Sequence, residues 1–487
     1  MKNKAKGESV AEVGILILAA GLGKRMHSAL PKVLHELGGK PMLFHVLNQV
    51  RHACPQASVG LVVGHGRELI EKFIQEEETL RDLSVTLIHQ AEQKGTGHAA
   101  RCAMDSPWGL ERIRTEAPIL VLPGDLPLIS EQLIRSVLKP LGSSDAMRVL
   151  TCHLKDPTGY GRVIREDRTQ RVQGIVEEKD ASPQQKQVTE VSTSIYLFES
   201  RFLGRSLSRI QPNNAQNEYY LTDLLGIAVE ERREVSVLVW DDVEQLRGVN
   251  NPWELAQARH LFNQHLLRHW ALKGVQFLDL SSVRIECEVV LGAEVVIDAG
   301  VVLQGQTRIG DRAKIGPHVV FKDATIDSDV WIKAGTVVEE ARVESFSVVG
   351  PYAHLRPGTV VGQKAKIGNF VELKKTSVGE STSIAHLSYL GDAEVGSHVN
   401  VGCGFVTCNF DGRVIEGKRK HKTVIEDHVF MGSACQAIAP VKIGKGSYIA
   451  SGSTLTDDVE PGSLAIARAR QVNKLDYAKK IKRFSEE

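Results

Sequence analysis

No apolar run in this chain is long enough to cross a bilayer. The longest, Ile15 to Ala20, falls far short of the ~20 residues a spanning helix needs. The opening MKNKAKGESVAEV lacks the apolar segment of a secretory signal and reads as a disordered leader over residues 1–12. Cysteine is sparse: seven are scattered over 487 residues, an odd number with no CxxC pair. That argues against a disulfide framework or a zinc knuckle and for a reducing compartment, so the cytoplasm is the expected location. An excess of one charge is also missing, since 60 basic residues stand against 59 acidic ones. The balance, with no basic half, removes the argument for nucleic acid or an anionic membrane as a partner.

A chain of 487 residues is too long for one core and predicts two or three domains. Up to about residue 250, short apolar runs such as Val59–Val63 and Ile119–Leu122 alternate with amphipathic stretches such as Glu68–Glu77. That alternation predicts a mostly parallel α/β sheet over 13–252, with ligands at the carboxyl ends of its strands. Two small-residue turns begin at such ends: LAAGLGKRM, from Leu18 to Met26, and LPGDLP, from Leu122 to Pro127. Neither fits a Walker loop or GxGxxG. Even so, the first frees backbone N–H groups to face an anion. Asn250-Asn-Pro-Trp then signals a helix start, and a linker helix is expected over 253–273, before Gly274.

Beyond about residue 275 the period changes to six. Leu291, Ile297, Leu303, Ile309, Ile315 and Phe321 keep it. It slips by one, then resumes at Ile326, Ile332 and Val338, and again at Val378, Ile384, Leu390, Val395 and Val401. It returns at Ile425, Met431, Ala437, Ile443, Ile449 and Leu455. A hexapeptide period predicts a parallel β-helix with one aliphatic per strand pointing inward, here over 274–470, leaving a tail at 471–487.

The set LAAGLGKRMHSALPKVL, QAEQKGTGHA, GDLPLI, DPTGYGR, GIVEEKDA, NEYYLTD, GVNN, LRPG, GNFVELKK, HLSYLGDAEVG and TCNFDG is specific. Through it the chain resembles, over nearly its whole length, the bifunctional N-acetylglucosamine-1-phosphate uridyltransferase and glucosamine-1-phosphate N-acetyltransferase family. The resemblance implies a Rossmann-like nucleotidyltransferase domain, a helical arm and a left-handed β-helix. It implies a homotrimer with acetyltransferase pockets between neighbouring chains, acetyl-CoA and UTP as co-substrates, Mg²⁺, and a product feeding peptidoglycan and lipopolysaccharide precursors.

For the nucleotide half the resemblance implies that Leu18, Ala19, Ala20 and Gly21 wrap UTP. Arg25 and Lys32 would neutralise phosphoryl charge, the need of a transition state with no covalent nucleophile. Arg25 also reads as a solvated cation at a helix start. Asp125, at a strand end, suits Mg²⁺ and is paired by the resemblance with Asn250. Either could instead be a turn or cap residue. Gln90, Gly95 and Thr96 match the uracil-reading stretch, and Pro123, Gly124, Gly161, Glu177 and Asn250 match sugar and nucleotide contacts. Ser192 stands where the family has Asn, which shortens that contact.

For the β-helix half the resemblance places the general base at His386, suited to taking a proton from an ammonium near neutral pH. It places the sugar-phosphate clamp at Arg356 and Lys374 and sugar contacts at Tyr389 and Asn400. Acetyl-CoA falls to Cys403, Asn409, Phe410, Ser433, Ser451 and Arg468. Cys403, Phe405 and Phe410 depart from the family's Ala, Thr and Tyr. A lengthened loop precedes Lys422, and the run Lys418–Lys422 reads either as contacts to CoA phosphates or as a solvated loop. A single-function nucleotidyltransferase with the β-helix as scaffold is the alternative reading.

Overall fold

The computed structural model describes residues 13–412, 414, 417 and 419–480. The expected leader and Lys418 lie outside the described residues. Two compact units divide between Phe262 and Asn263.

The first unit is built on a mixed sheet. Its main strands are β1 (Gly14–Leu18), β2 (Ser58–Val63), β3 (Ser84–His89), β4 (Ile119–Pro123), β5 (Asp145–His153), β6 (Glu190–Phe198) and β7 (Glu234–Val239). Their order is β7-β5-β6-β4-β1-β2-β3, and β6 alone runs antiparallel to its neighbours. The strands are apolar on both faces because helices cover both. Ile15 and Ile17 enter one core, while Leu16 enters the other. A hairpin, Arg162–Arg165 with Val172–Val176, joins through β6.

A helix, Pro252–Leu272, runs from the first unit into the second. Its cap is Asn251, not Asn250. The Asn251 side chain accepts from Glu254 N at 2.9 Å. The Glu254 carboxylate accepts in return from Asn250 N and from Asn251 Nδ2, both at 2.7 Å. This reciprocal box satisfies the helix end and leaves the Asn250 side chain free for other work.

The second unit is the left-handed parallel β-helix, with faces of eleven, ten and nine short strands. Every six-spaced residue named above is buried. The period does not lapse between Val338 and Val378: Val343, Val349, Leu355, Val361, Ile367 and Leu373 carry it. A second inward column, two residues earlier, holds smaller side chains such as Thr359, Thr376 and Thr382. Their hydroxyls donate to carbonyls of the next coil at 3.2, 2.9 and 2.7 Å, as buried polar groups must.

One coil exchanges the two columns. Phe405 occupies the small-residue column, fully buried, and Thr407 takes the aliphatic position. The coil keeps its volume by moving bulk from one column to the other. Phe405 is therefore a core residue, and its departure from the family lies inside the β-helix rather than on its outer surface.

Candidate functional site

A cleft of about 1050 Å³ opens over the carboxyl ends of β1 and β4. Every residue assigned above to the nucleotide half lines it, with the exception of Gly124. Gly124 instead donates its N–H to Leu18 O at 2.9 Å, and a Cβ there would crowd Ala19 at 3.2 Å. Its place is to hold the two strand-end turns together. After Gly21 the turn passes through Gly23 at φ 58°, a left-handed backbone glycine adopts freely, into the one-turn helix Lys24–Met26. Arg25 is exposed there and has no ion-pair partner among the described residues.

The floor of the cleft brings together three residues far apart in the chain. The Lys32 ammonium pairs with Asp125 Oδ2 and donates to Asn250 Oδ1 at 3.1 Å. Lys32 and Asp125 are only 15% and 18% exposed, so each charge needs the other.

Gln90, at 3% exposure, gives both amide hydrogens away: to Gly95 O at 3.3 Å and to His98 Nδ1 at 2.9 Å. Its carbonyl is then the edge left for an N–H of a base. Gly95 has φ 103°, and a Cβ there would lie 2.6 Å from Tyr219 O. Thr96 Oγ1 accepts from Leu221 N at 3.1 Å. NEYYLTD thus serves as the wall that fixes the turn at Gly95 and Thr96.

At the opposite end Glu177 accepts from Thr222 Oγ1 at 3.3 Å. Burial raises its pKa, and the carboxylates of Asp180 and Asp223 add to the rise. The Ser192 hydroxyl is shared with Tyr196 at 2.8 Å across an irregularity in β6, and both residues line the cleft. Sequence reasoning missed Tyr196, although its spacing of four from Ser192 is one that alternation along a strand places on the same face.

On the second unit, Asn369, His386, Cys403, Ser433 and Ser451 follow one another up a single edge, between the first and second faces. Asn369 pairs with His386 in register, and backbone bonds continue the edge through Cys403 O and Ser433 O. His386 stands exposed, its Nδ1 2.7 Å from Asn369 Oδ1. Since an amide oxygen only accepts, Nδ1 carries the hydrogen, and in the neutral ring the lone pair is on Nε2. Asn369 was within the quoted motif but was not singled out. The signal for it is a spacing of one coil before His386.

The second face carries Arg356, Lys374 and Tyr389. Arg356 Nη1 pairs with Glu372 at 2.7 Å, and Glu372 lies in register with Tyr389. Arg468 rests beside Gly452, at the top of the His386 edge. Two groups of expected residues are not brought to this edge. Asn400 faces out from the first face, in register with Phe430. Asn409 and Phe410 lie beyond the second face, where the lengthened loop leaves the coil. Asn409 is buried and donates to Asp392 at 2.6 Å. The basic run is not simply a solvated loop. Lys420 covers the Phe410 ring at 4.4 Å, Lys422 pairs with Glu394, and His421 is buried beside Asp411.

The architecture is that of a transferase with a nucleotidyltransferase domain and a hexapeptide acyltransferase domain in one chain. Residues 15–188 match the MobA-like NTP transferase domain. Residues 288–323 match the bacterial transferase hexapeptide of six repeats, and 422–457 the hexapeptide repeat of succinyl-transferase. Three curated relatives, each named bifunctional protein GlmU, are similar from end to end. That of Trichlorobacter lovleyi is 45% identical over 96% of this chain and 98% of its own. That of Pelobacter propionicus is 42% identical over 97% and 99%, and that of Shouchella clausii 41% over 96% and 98%. The chain belongs to the GlmU family, the bifunctional uridyltransferases and acetyltransferases.

Proposed function

We propose that this chain makes UDP-N-acetylglucosamine at two separate sites. At the β-helix the amine of glucosamine 1-phosphate attacks the thioester carbonyl of acetyl-CoA. Nε2 of His386 takes the amine proton, the C–S bond breaks, and CoA leaves as the thiol after accepting a proton. Arg356, Lys374 and Tyr389 hold the sugar phosphate. Cys403, Ser433, Ser451 and Arg468 line the edge along which acetyl-CoA lies.

In the cleft, a phosphate oxygen of N-acetylglucosamine 1-phosphate attacks the α-phosphorus of UTP and pyrophosphate leaves. Gln90 and Gly95 read uracil, Glu177 and Ser192 face the sugar, and Arg25 and Lys32 meet the phosphates. Asp125 and Asn250 would hold Mg²⁺. The pair, one carboxylate and one amide oxygen, suits a hard cation. The Lys32 ammonium between the two oxygens marks that point as a cation position. Bound there, Mg²⁺ would neutralise charge on the triphosphate.

The single observation favouring two sites over a β-helix scaffold is the His386–Asn369 pair, which leaves Nε2 free as a base. A scaffold has no use for an oriented imidazole.

We place the enzyme in the cytoplasm as a homotrimer. At three successive corners beside His386, Tyr352, Phe370 and Leu387 adopt φ of 53°, 55° and 41° while 57%, 56% and 57% exposed. Large apolar side chains held out to water in a disfavoured backbone fit a surface that a second copy covers. Among the described residues no helix is long and apolar enough to cross a membrane.

The test is an assay of purified protein with glucosamine 1-phosphate, acetyl-CoA, UTP and Mg²⁺, following free thiol and pyrophosphate separately. Release of both is expected. Pyrophosphate release only from supplied N-acetylglucosamine 1-phosphate, with no thiol, would reduce the β-helix to a scaffold.

A further inference from the structure

We infer that Lys32 is the resident countercation of the metal position, exchanged for the divalent ion when the substrate complex forms. This rests on the assignment of Asp125 and Asn250 to Mg²⁺ made above. Those two oxygens do not face empty space or each other. A single ammonium takes both, pairing with Asp125 Oδ2 and donating to Asn250 Oδ1 at 3.1 Å. Asp125 is 18% exposed, and a carboxylate that far from water needs a partner at all times. One point in space cannot hold an ammonium and a divalent cation together, because like charges at contact repel strongly near a protein surface.

The chain is built for such an exchange. The backbone of Lys32 lies in the one-turn helix Lys32–Leu34, and its Cβ packs against Gly23, where an added Cβ would approach to 3.0 Å. The base of the side chain is therefore set by the phosphate-binding turn. Its head sits on a four-carbon stem free to swing. Giving up Asp125 and Asn250 delivers that head to the same cleft, beside Arg25, where the phosphates enter. Phosphate charge then replaces the carboxylate as its partner. The protein alone is a weak metal binder, and metal and nucleotide bind as a pair.

The probe is Mn²⁺ with the full-length protein and no nucleotide, followed by the spin-resonance signal of the free ion. Lys32→Met is expected to bind Mn²⁺ about tenfold more tightly than wild type at one ionic strength, a modest share of the repulsion removed. Lys32→Gln, which keeps a polar head, should shift in the same direction. Equal or weaker binding by both variants overturns the exchange. Adding Asp125→Asn to Lys32→Met should abolish the gain. If both proteins bind alike and Asp125→Asn removes both, the metal assignment stands and the exchange alone fails. If Asp125→Asn changes nothing, both fail.

Discussion

Asn369 and His386 occupy the same position on consecutive coils, and the amide oxygen of the first lies 2.7 Å from Nδ1 of the second. The pairing selects the tautomer with its lone pair on Nε2. Asn369→Ala should lower kcat for acetyl transfer on the order of 10- to 100-fold, the cost of a misplaced catalytic group. Asn369→Asp keeps an acceptor and should recover most of it. Uridyl transfer should be unchanged in both variants, which separates loss of orientation from loss of fold.

His386→Ala should abolish thiol release and spare pyrophosphate release from N-acetylglucosamine 1-phosphate. Asp125→Ala should do the reverse. The two residues lie on different compact units. Either change stopping both reactions in a folded protein would defeat the two-site reading.

Gln90 spends its hydrogens on Gly95 and His98, which leaves its carbonyl oxygen as the remaining polar edge toward the cleft. Gln90→Leu should cost UTP about tenfold or more in kcat/KM while affecting CTP less, because a buried polar edge is what rejects the wrong base. Competition kinetics between the two nucleotides check this.

Burial, with help from the charge of Asp180, pushes the carboxyl of Asp223 up from 3.8 to about 6. Between those values the folded protein binds the proton that the unfolded chain has released. Stability therefore falls as pH rises through that window and stays lowered above it. Asp223→Asn should stabilise the protein by about 1 kcal/mol at pH 7.5, after a discount for partial exposure, and give no gain below pH 4. Thermal melting at the two pH values decides it.

Phe405 fills the small-residue column of its coil with no exposure. Phe405→Ala should destabilise the β-helix by about 3 kcal/mol through the cavity it leaves. Phe405→Thr combined with Thr407→Leu restores the ordinary column pattern and should recover most of that. Urea unfolding midpoints of the three proteins measure it.

The six-residue period alone determined the β-helix, because each coil must send an aliphatic inward at a fixed interval or lose its core. The same local logic placed both strand-end turns, since a parallel sheet presents its ligands where strands stop. What the period could not settle was a choice between two inward columns. Phe405 is aromatic and sits near the site in sequence, and only the packed volume of its coil sends it inward. Adjacent Asn250 and Asn251 read alike. Folding gave the cap to Asn251 because its side chain reaches Glu254 N, which released Asn250 toward Lys32. The cation position itself was decided only in three dimensions. Lys32 stands 93 residues from Asp125 and 218 from Asn250, and burial of most of the carboxylate holds the three together.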